Sequence, residues 1–267
     1  MGPDREILVD GAPATQADLS GLALVNYGAY TSLLVEDGGV RGLDLHLARL
    51  EAGAIELFGE PVGEARLREL MRAALGDRQA AWLRVSLFSP DIGPRTPDWT
   101  GRPRVMIATA PPPPPLAERV RLQVQTHVRD AAHLKHTATF PLIRARRLAR
   151  AAGFDDALFT DADGRISEGP LWNIGFVRGD ALTWPEAPML AGVTQALIGR
   201  GLASVGLTAR VAPVRLDDLD RFDAAFICNS ATPACAVTAI DGRGLAADPD
   251  LITRLDRAWR SNPVQAI

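Results

Sequence analysis

Apolar residues recur at intervals of three and four positions in two early stretches of the chain. The first covers residues 44–58 and is followed by Gly59, and the second covers residues 64–75 and is followed by Gly76. This spacing places the apolar side chains on one face of a helix, and a glycine directly after it is a common stop signal. We therefore predict two amphipathic helices, with Asp44 as the N-cap of the first.

Other stretches have the two-residue alternation or the short apolar runs of strands. In residues 120–128, valine, leucine and threonine alternate with Arg121, Gln123, Gln125 and His127, which is the period of a half-buried strand. Further strands are predicted at 81–88, 105–110, 224–228 and 236–240, hairpins at 157–167 and 174–184, and helices at 141–152, 192–205 and from 249. The mixture predicts an α+β fold.

Five consecutive prolines, residues 111–115, interrupt this pattern. Such a run adopts polyproline II and acts as a stiff spacer, although it could also be a ligand for an SH3-type domain. We expect a linker at residues 113–118, which separates a small α/β domain, residues 1–112, from a larger strand-rich domain, residues 119–267.

Composition narrows the function classes. Apolar residues make up 47% of the 267 positions and charged residues 23%, which is ordinary for a globular protein. With a formal net charge of −3 and no basic stripe, nucleic acid is not an expected partner. The chain lacks an apolar run long enough to cross a membrane and an N-terminal secretory pattern, so we expect a cytoplasmic protein. Cys228 and Cys235 are interpreted as reduced core residues, and no metal site is expected.

The lysine content is unusual. Of the 29 lysine and arginine residues, only Lys135 is a lysine. Arginine replaces lysine wherever a surface cation suffices, but its guanidinium stays protonated and cannot act as a neutral amine. Formation of a Schiff base with an aldehyde requires such an amine. Lys135 is therefore a candidate for this chemistry, although a chance surface lysine is the alternative.

Three other places carry groups that a phosphate-bearing aldehyde would need. Glu168 follows a predicted hairpin and could pair with a protonated pyridine nitrogen. Gly192, Val193 and Thr194 open a predicted helix, where free backbone N–H groups favour phosphate. Arg49 offers a forked cation to the same phosphate. Taken singly, each residue also has an ordinary structural explanation, such as a solvated turn, a helix cap or a surface ion pair.

The order of these segments resembles the class IV aminotransferases, the fold-type IV pyridoxal-phosphate enzymes, from about Val25 to Gly242. The most specific match is GFDDALF at 153–159 with DGRISE at 163–168 and NIGF at 173–176. The other matching segments are HLARL at 46–50, LKH at 134–136, LAGVT at 190–194, ICNS at 227–230 and WLR at 82–84.

This resemblance implies a two-domain fold with a larger pseudo-barrel C-terminal domain that carries the cofactor lysine, and a homodimer. It implies that Lys135 binds pyridoxal 5′-phosphate, that Glu168 contacts the pyridine nitrogen, and that Tyr30 and Arg84 lie near the substrate. It implies that the phosphate is bound by Arg49, Gly192, Val193, Thr194 and Ser230, and that Asn229 also binds the cofactor.

The chain departs from the family pattern at several positions. The segment at 26–32, which helps to shape the substrate pocket, is shortened, and Phe140 stands where many of the aminotransferases have a tyrosine that touches the cofactor. Ala191 and Gln195 replace a proline and an arginine of the phosphate turn. We expect these departures to affect the reaction and its substrate more than the binding of the cofactor.

Three functions follow from the resemblance. The leading prediction is an aminotransferase that acts on an amino acid or amine and a 2-oxo acid, with Lys135 as the proton carrier. A 4-amino-4-deoxychorismate lyase, which forms p-aminobenzoate and pyruvate, is the alternative that the LKH and CNS segments favour. A non-catalytic binding protein with the same fold is the third. The amino donor, the acceptor and the stereochemical preference stay open.

Overall fold

A computed structural model describes residues 6–114 and 116–267, so Pro115 of the predicted linker lies outside the described residues. The strands are β1 Glu6–Val9, β2 Ala12–Pro13, β3 Ala29–Val35, β4 Gly39–Arg41, β5 Ala81–Phe88, β6 Arg104–Ala110, β7 Arg119–Thr126, β8 Asp156–Thr160, β9 Asn173–Arg178, β10 Ala181–Pro185, β11 Thr208–Ala212, β12 Ala224–Asn229, β13 Thr232–Ile240, β14 Arg243–Gly244 and β15 Val264–Ala266. The helices are α1 Gln16–Leu24, α2 Leu43–Phe58, α3 Glu64–Leu75, α4 Phe140–Ala151, α5 Val193–Gly201 and α6 Pro249–Arg260, with 3₁₀ turns at Leu202–Val205 and Leu216–Arg221.

The chain forms two compact units. Among the described residues, unit 1 consists of 6–114, 134–138 and 264–267, and unit 2 consists of 116–133 and 139–263. The grouping of Lys135 with unit 1 differs from the prediction that the C-terminal domain carries it. The reason is backbone pairing with the start of β3: the Tyr30 N–H donates to the Lys135 carbonyl at 2.8 Å, and the Thr137 N–H donates to the Gly28 carbonyl at 2.8 Å.

Unit 1 is an antiparallel sheet in the order β2-β1-β6-β5-β3, with α2 and α3 packed on one face. Because strand side chains alternate between faces, Leu33 of β3 and Leu83 of β5 enter the core with these helices. Tyr30 of β3, and Arg84 and Ser86 of β5, point to the opposite face. This face therefore carries Tyr30 and Arg84, the two predicted substrate contacts.

Helix α2 ends as predicted but begins differently. Gly59 terminates it with a left-handed φ of 83°, as its position after Phe58 indicated. The N-cap is Gly42, with a φ of 71° and no side-chain hydrogen bond, so the prediction of Asp44 as the N-cap was wrong. The Asp44 N–H instead donates to Oε1 of Gln265 at 3.0 Å. A residue from the far end of the chain therefore satisfies one of the free N–H groups in the first turn.

Unit 2 is built around a mixed sheet in the order β11-β10-β9-β12-β13-β7-β8. The predicted hairpin at 174–184 is confirmed as β9 and β10, with Arg178 opposite Ala181. The predicted hairpin at 157–167 is confirmed, although its return segment is too irregular to count as a strand. Ile166 bridges antiparallel to Thr160. The Ser167 N–H donates to the Phe159 carbonyl at 3.0 Å, and the Phe159 N–H donates to the Glu168 carbonyl at 2.9 Å. The other edge of β8 pairs parallel with β7.

Within residues 6–114 and 116–267, no helix is both long and apolar enough to cross a membrane.

Candidate active site

In unit 1, Lys135 lies beside the ring of Tyr30. The Lys135 Nζ is 5.0 Å from the ring centroid, and the guanidinium carbon of Arg84 lies 3.6 Å from the same centroid. Tyr30 is only 5% exposed, so its ring is a fixed platform for the two cationic side chains. The structure thus brings together three of the predicted residues, namely the lysine and both proposed substrate contacts.

Arg49, the predicted phosphate contact of unit 1, is on α2 one turn after His46. His46 is 2% exposed, and its Nδ1 lies 2.7 Å from the Thr31 hydroxyl. Burial, together with the smaller effects of the positive charges of Arg49 and Lys135 and against the opposing effect of Asp44, lowers the pKa of His46 to about 3. Near pH 7 this histidine is neutral, which adds no third positive charge beside Arg49 and Lys135.

In unit 2, Glu168 forms a buried ion pair with Arg129. The Arg129 Nη1 donates to the Glu168 Oε1 at 3.1 Å, and the two side chains are 8% and 5% exposed. A guanidinium at this distance favours the ionised carboxylate, the form that pairs with a protonated pyridine nitrogen. Arg129 was not predicted as a site residue, because an arginine six positions before the lysine carries no pattern of its own.

Asn173 connects the segment of Glu168 to the predicted phosphate turn. It forms a bridge with Glu168, pairs with Cys228 of β12, and donates from Nδ2 to the Leu190 carbonyl at 2.9 Å. Asn173 was quoted in the resemblance but not predicted as a site residue. Its position at the start of β9 explains how three separate segments of unit 2 meet.

The phosphate turn opens α5 as predicted. Gly192 is the N-cap and provides no side-chain hydrogen bond to the first turn, and Val193 and Thr194 are its first two helical residues. A Cβ on Gly192 would lie 2.0 Å from Oδ1 of Asn173, so only glycine fits. A first turn of N–H groups with no side-chain cap, at the positive end of the helix dipole, suits a phosphate.

Asn229 and Ser230 form the turn between β12 and β13. Oδ1 of Asn229 accepts hydrogen bonds from the N–H groups of Ala231 and Thr232, each at 2.9 Å. This side chain shapes the loop that carries the Ser230 hydroxyl. Phe140, which replaces the family tyrosine, is the first residue of α4 and is 73% exposed.

The two cysteines are buried and not bonded to each other, as predicted. Burial raises the pKa of the Cys228 thiol far above its usual range, and burial, with a smaller effect of Asp155, raises the pKa of Cys235 to about 11. Neither thiol is therefore an activated nucleophile.

The predicted residues thus form two clusters. Unit 1 holds Tyr30, Arg49, Arg84 and Lys135, and unit 2 holds Glu168, Gly192, Val193, Thr194, Asn229 and Ser230. An amine, an ionised carboxylate paired with an arginine, and a helix N-terminus without a side-chain cap are the donor set that a phosphate-bearing pyridine aldehyde requires. The residues present fit pyridoxal phosphate.

Comparisons with known proteins agree with this chemistry. The family model for amino-transferase class IV matches residues 28–240. A probable branched-chain-amino-acid aminotransferase of Rickettsia felis is 31% identical over 100 residues, which cover 37% of this chain and 34% of that protein. A putative branched-chain-amino-acid aminotransferase of Methanocaldococcus jannaschii is 27% identical over 229 residues, which cover 81% of this chain and 79% of the relative.

The fold also has close structural neighbours. A hypothetical aminotransferase from Mycobacterium tuberculosis, solved in its PLP-bound form, superposes with a TM-score of 0.76 at 22% identity. The superposition covers 96% of this chain and 99% of that one.

The chain belongs to the class IV aminotransferase family, whose enzymes use pyridoxal phosphate. The predicted family, the α+β fold class, the enzyme class and the cofactor are confirmed at the level of the family. The relatives described above are aminotransferases by name, so the lyase alternative is not favoured.

Proposed function

We propose that this chain is a pyridoxal-phosphate-dependent aminotransferase that moves an amino group between an amino acid or amine and a 2-oxo acid. The observation that carries the proposal is the position of the Lys135 amine beside Tyr30 and Arg84 in a member of this family. Branched-chain amino acids, named in the relatives, are the first donors to test.

When bound, pyridoxal phosphate supplies an aldehyde for the substrate amine and a ring that accepts electrons from the substrate Cα. In the proposal, the Lys135 Nζ removes and returns the proton at that Cα. Glu168, kept ionised by Arg129, pairs with the ring nitrogen. Arg49, the first turn of α5 at Gly192–Thr194, and the Asn229–Ser230 loop bind the phosphate.

Arg84 and Tyr30 are the proposed substrate contacts. In the described part of the chain, Arg84 has no carboxylate partner and contacts the Tyr30 ring, so its donors are available to a substrate carboxylate. Ser86, opposite Tyr30 in the neighbouring strand, is 2% exposed, and its hydroxyl has no partner among the described residues. We add Ser86 to the substrate-facing set, because a buried unpaired hydroxyl is costly unless a ligand or water satisfies it.

The first test is covalent capture. The purified protein should be yellow, and borohydride should attach the cofactor to the peptide that contains Lys135, as read by mass spectrometry. K135R, which keeps the charge but cannot form the imine, should remain unlabelled. A matched control is R147K, which adds a second lysine on the exposed face of α4 and should leave the label at Lys135 alone. A colourless protein that binds no cofactor would favour the non-catalytic alternative.

The second test separates the two reactions. With a branched-chain amino acid, a transaminase converts the cofactor band to that of the pyridoxamine form and releases the 2-oxo acid. If amino acids leave the band unchanged and aminodeoxychorismate yields p-aminobenzoate, the chain is a lyase.

The proposal also covers the oligomeric state, the cellular location and the domain boundary of the chain. We propose a cytoplasmic homodimer, which sedimentation at micromolar concentration should detect at twice the chain mass of 28.6 kDa. The proposed boundary at 113–118, between regions 1–112 and 119–267, should be an early site of limited proteolysis.

A further inference from the structure

Unit 2 contains a polar cavity that the aminotransferase chemistry does not use. It is a cleft of about 390 Å³ on the sheet formed by β9, β10 and β11. Its lining consists of Arg178, Ala181, Thr183, Arg210, Pro213, Asp218, Arg221 and Phe222. We refer to it as the arginine cleft. Its volume falls within the range of small-molecule sites.

Strand register explains why the arginines converge. Arg178 at the end of β9 pairs with Ala181 of β10, and Thr183 of β10 pairs with Arg210 of β11. Ala181 and Thr183 are two residues apart, so their side chains, and those of both arginines, lie on the same sheet face. Arg221 ends the 3₁₀ turn Leu216–Arg221 and reaches the same cleft from its rim.

The charges in this cleft do not balance. Asp218 is the one carboxylate of the lining, and it pairs with Arg221 at 2.9 Å. The Nε of Arg210 donates to the Thr183 hydroxyl at 3.2 Å, which orients the side chain without neutralising it. Within the described ranges, the Arg178 side chain makes no hydrogen bond or ion pair. Two guanidinium charges thus remain uncompensated in one concave site.

We propose that the arginine cleft binds a small phosphate-bearing anion. Arginine forks bind phosphate oxygens in pairs, and the anion would relieve the mutual repulsion of Arg178 and Arg210. Pro213 and Phe222 form an apolar wall of the cleft, which could contact the organic part of a phosphate ester. The Phe222 ring is itself packed on Phe176, with the ring centroids 5.1 Å apart.

This site is separate from the cofactor turn. Asn173, which holds the Leu190 carbonyl of that turn, is at the first position of β9, and Arg178 is at the last. Five residue steps along a strand span roughly 17 Å. A phosphate in the arginine cleft therefore cannot be the cofactor phosphate.

The test is calorimetric titration of inorganic pyrophosphate into the protein saturated with pyridoxal phosphate, so that the α5 turn is already filled. We expect saturable binding of one pyrophosphate per chain. Because each lost charge-assisted contact is worth about 1.5 kcal/mol or more, R178Q and R210Q should each weaken binding about tenfold. R147Q, which removes an exposed arginine from α4, is the matched control and should leave binding within about twofold.

The same titration can overturn the proposal. No saturable heat up to roughly 10 mM pyrophosphate, or equal weakening by R147Q, would show that the arginines are only solvated surface cations. R178Q should unfold at the wild-type temperature, because its side chain makes no hydrogen bond or ion pair with the described residues. A loss of binding in R178Q without loss of stability therefore reports on the ligand and not on the fold.

Discussion

At the level of single residues, the sequence motif identifies Glu168, but only the fold identifies the residue that pairs with it. The segment DGRISE identified Glu168 from the sequence, but its ion-pair partner Arg129 belongs to a different segment, 39 positions earlier. Both side chains are almost fully buried. A buried pair of this kind is predictable only once β7 and β8 are known to run side by side.

Removal of Arg129 should therefore be costly. We expect R129Q to lower the free energy of unfolding by about 3 kcal/mol, because it strips the carboxylate of a buried charge partner. The loss in R129Q/E168Q should be smaller than the sum of the two single losses. Urea unfolding of all four proteins gives this coupling energy. An R129Q protein within ~0.5 kcal/mol of wild type would show that Arg129 does not support Glu168.

His46 makes the stability depend on pH. Its pKa is about 3 in the folded chain and returns to about 6.5 on unfolding. Below pH 6.5 the unfolded chain binds a proton that the folded chain does not, so stability falls as the pH drops from 6.5 toward 3. This residue should account for a loss of about 1.5 kcal/mol between pH 6.5 and 5.

The variant H46N isolates this contribution, because asparagine can still hydrogen bond near Thr31 but does not titrate. The measurement is the free energy of unfolding in urea at several pH values for both proteins. As the pH falls, the free energy of unfolding of the wild type should decrease more than that of H46N. Parallel curves would mean that His46 does not remain neutral in the fold.

At the level of elements, the start of α5 was predictable and its packing was not. The sequence LAGVT indicated a glycine that opens a helix, and Gly192 is the N-cap. Glycine is required at this position because the backbone lies close to the side chain of Asn173. Asn173 belongs to β9 and precedes Gly192 by nineteen positions. The local sequence therefore located the phosphate turn, whereas the contact with Asn173 could be known only from the tertiary structure.

This close approach predicts a contrast between two glycines of the same turn and helix. G192A would force a Cβ within 2.0 Å of Oδ1 of Asn173, and should cost about 2 kcal/mol and weaken pyridoxal phosphate binding about tenfold. G199A, within α5, meets no atom within 4 Å, and should gain up to about 1 kcal/mol with no change in cofactor affinity. Absorbance titration and thermal unfolding measure both effects. Equal behaviour of the two variants would contradict the proposed cradle.

The failed N-cap prediction at α2 has a related cause. Asp44 is a good capping residue by type, but the chain enters the helix through Gly42 in a left-handed conformation, so Asp44 falls inside the first turn. The spacing of apolar residues identified the helix at residues 44–58 well, because the apolar stripe spans about four turns. The exact first residue depended on the connection from β4, which carries no periodic signal.

At the level of the whole molecule, unit 1 is assembled from three separate stretches of sequence. Residues 134–138 and 264–267 join it through backbone pairing, the first with the start of β3 and the second with β4. Periodicity and composition act over a few turns or strands, so they placed the domain boundary at the proline run. They could not show that a short segment after that run returns to the first unit and brings Lys135 to Tyr30.

The C-terminal segment should therefore stabilise the unit that carries the lysine. Ile267 is 9% exposed within the unit 1 core, the Ala266 and Ile267 carbonyls accept from Arg68 and Arg72, and Gln265 satisfies the Asp44 N–H. I267A should cost about 2 kcal/mol, and Q265A about 1 kcal/mol. V264A, at a 37% exposed site of the same strand, is the control and should cost less than I267A.

Deletion of 264–267 removes the β15–β4 pairing together with both contacts, so its loss in stability should exceed that of I267A and Q265A combined. Because Lys135 is held by β3 of the same unit, the deletion should also slow borohydride capture of the cofactor. If a boundary at the proline run described unit 1 fully, removal of residues at the far end of the chain would leave capture unchanged. Capture at the wild-type rate in the truncated chain would contradict this prediction.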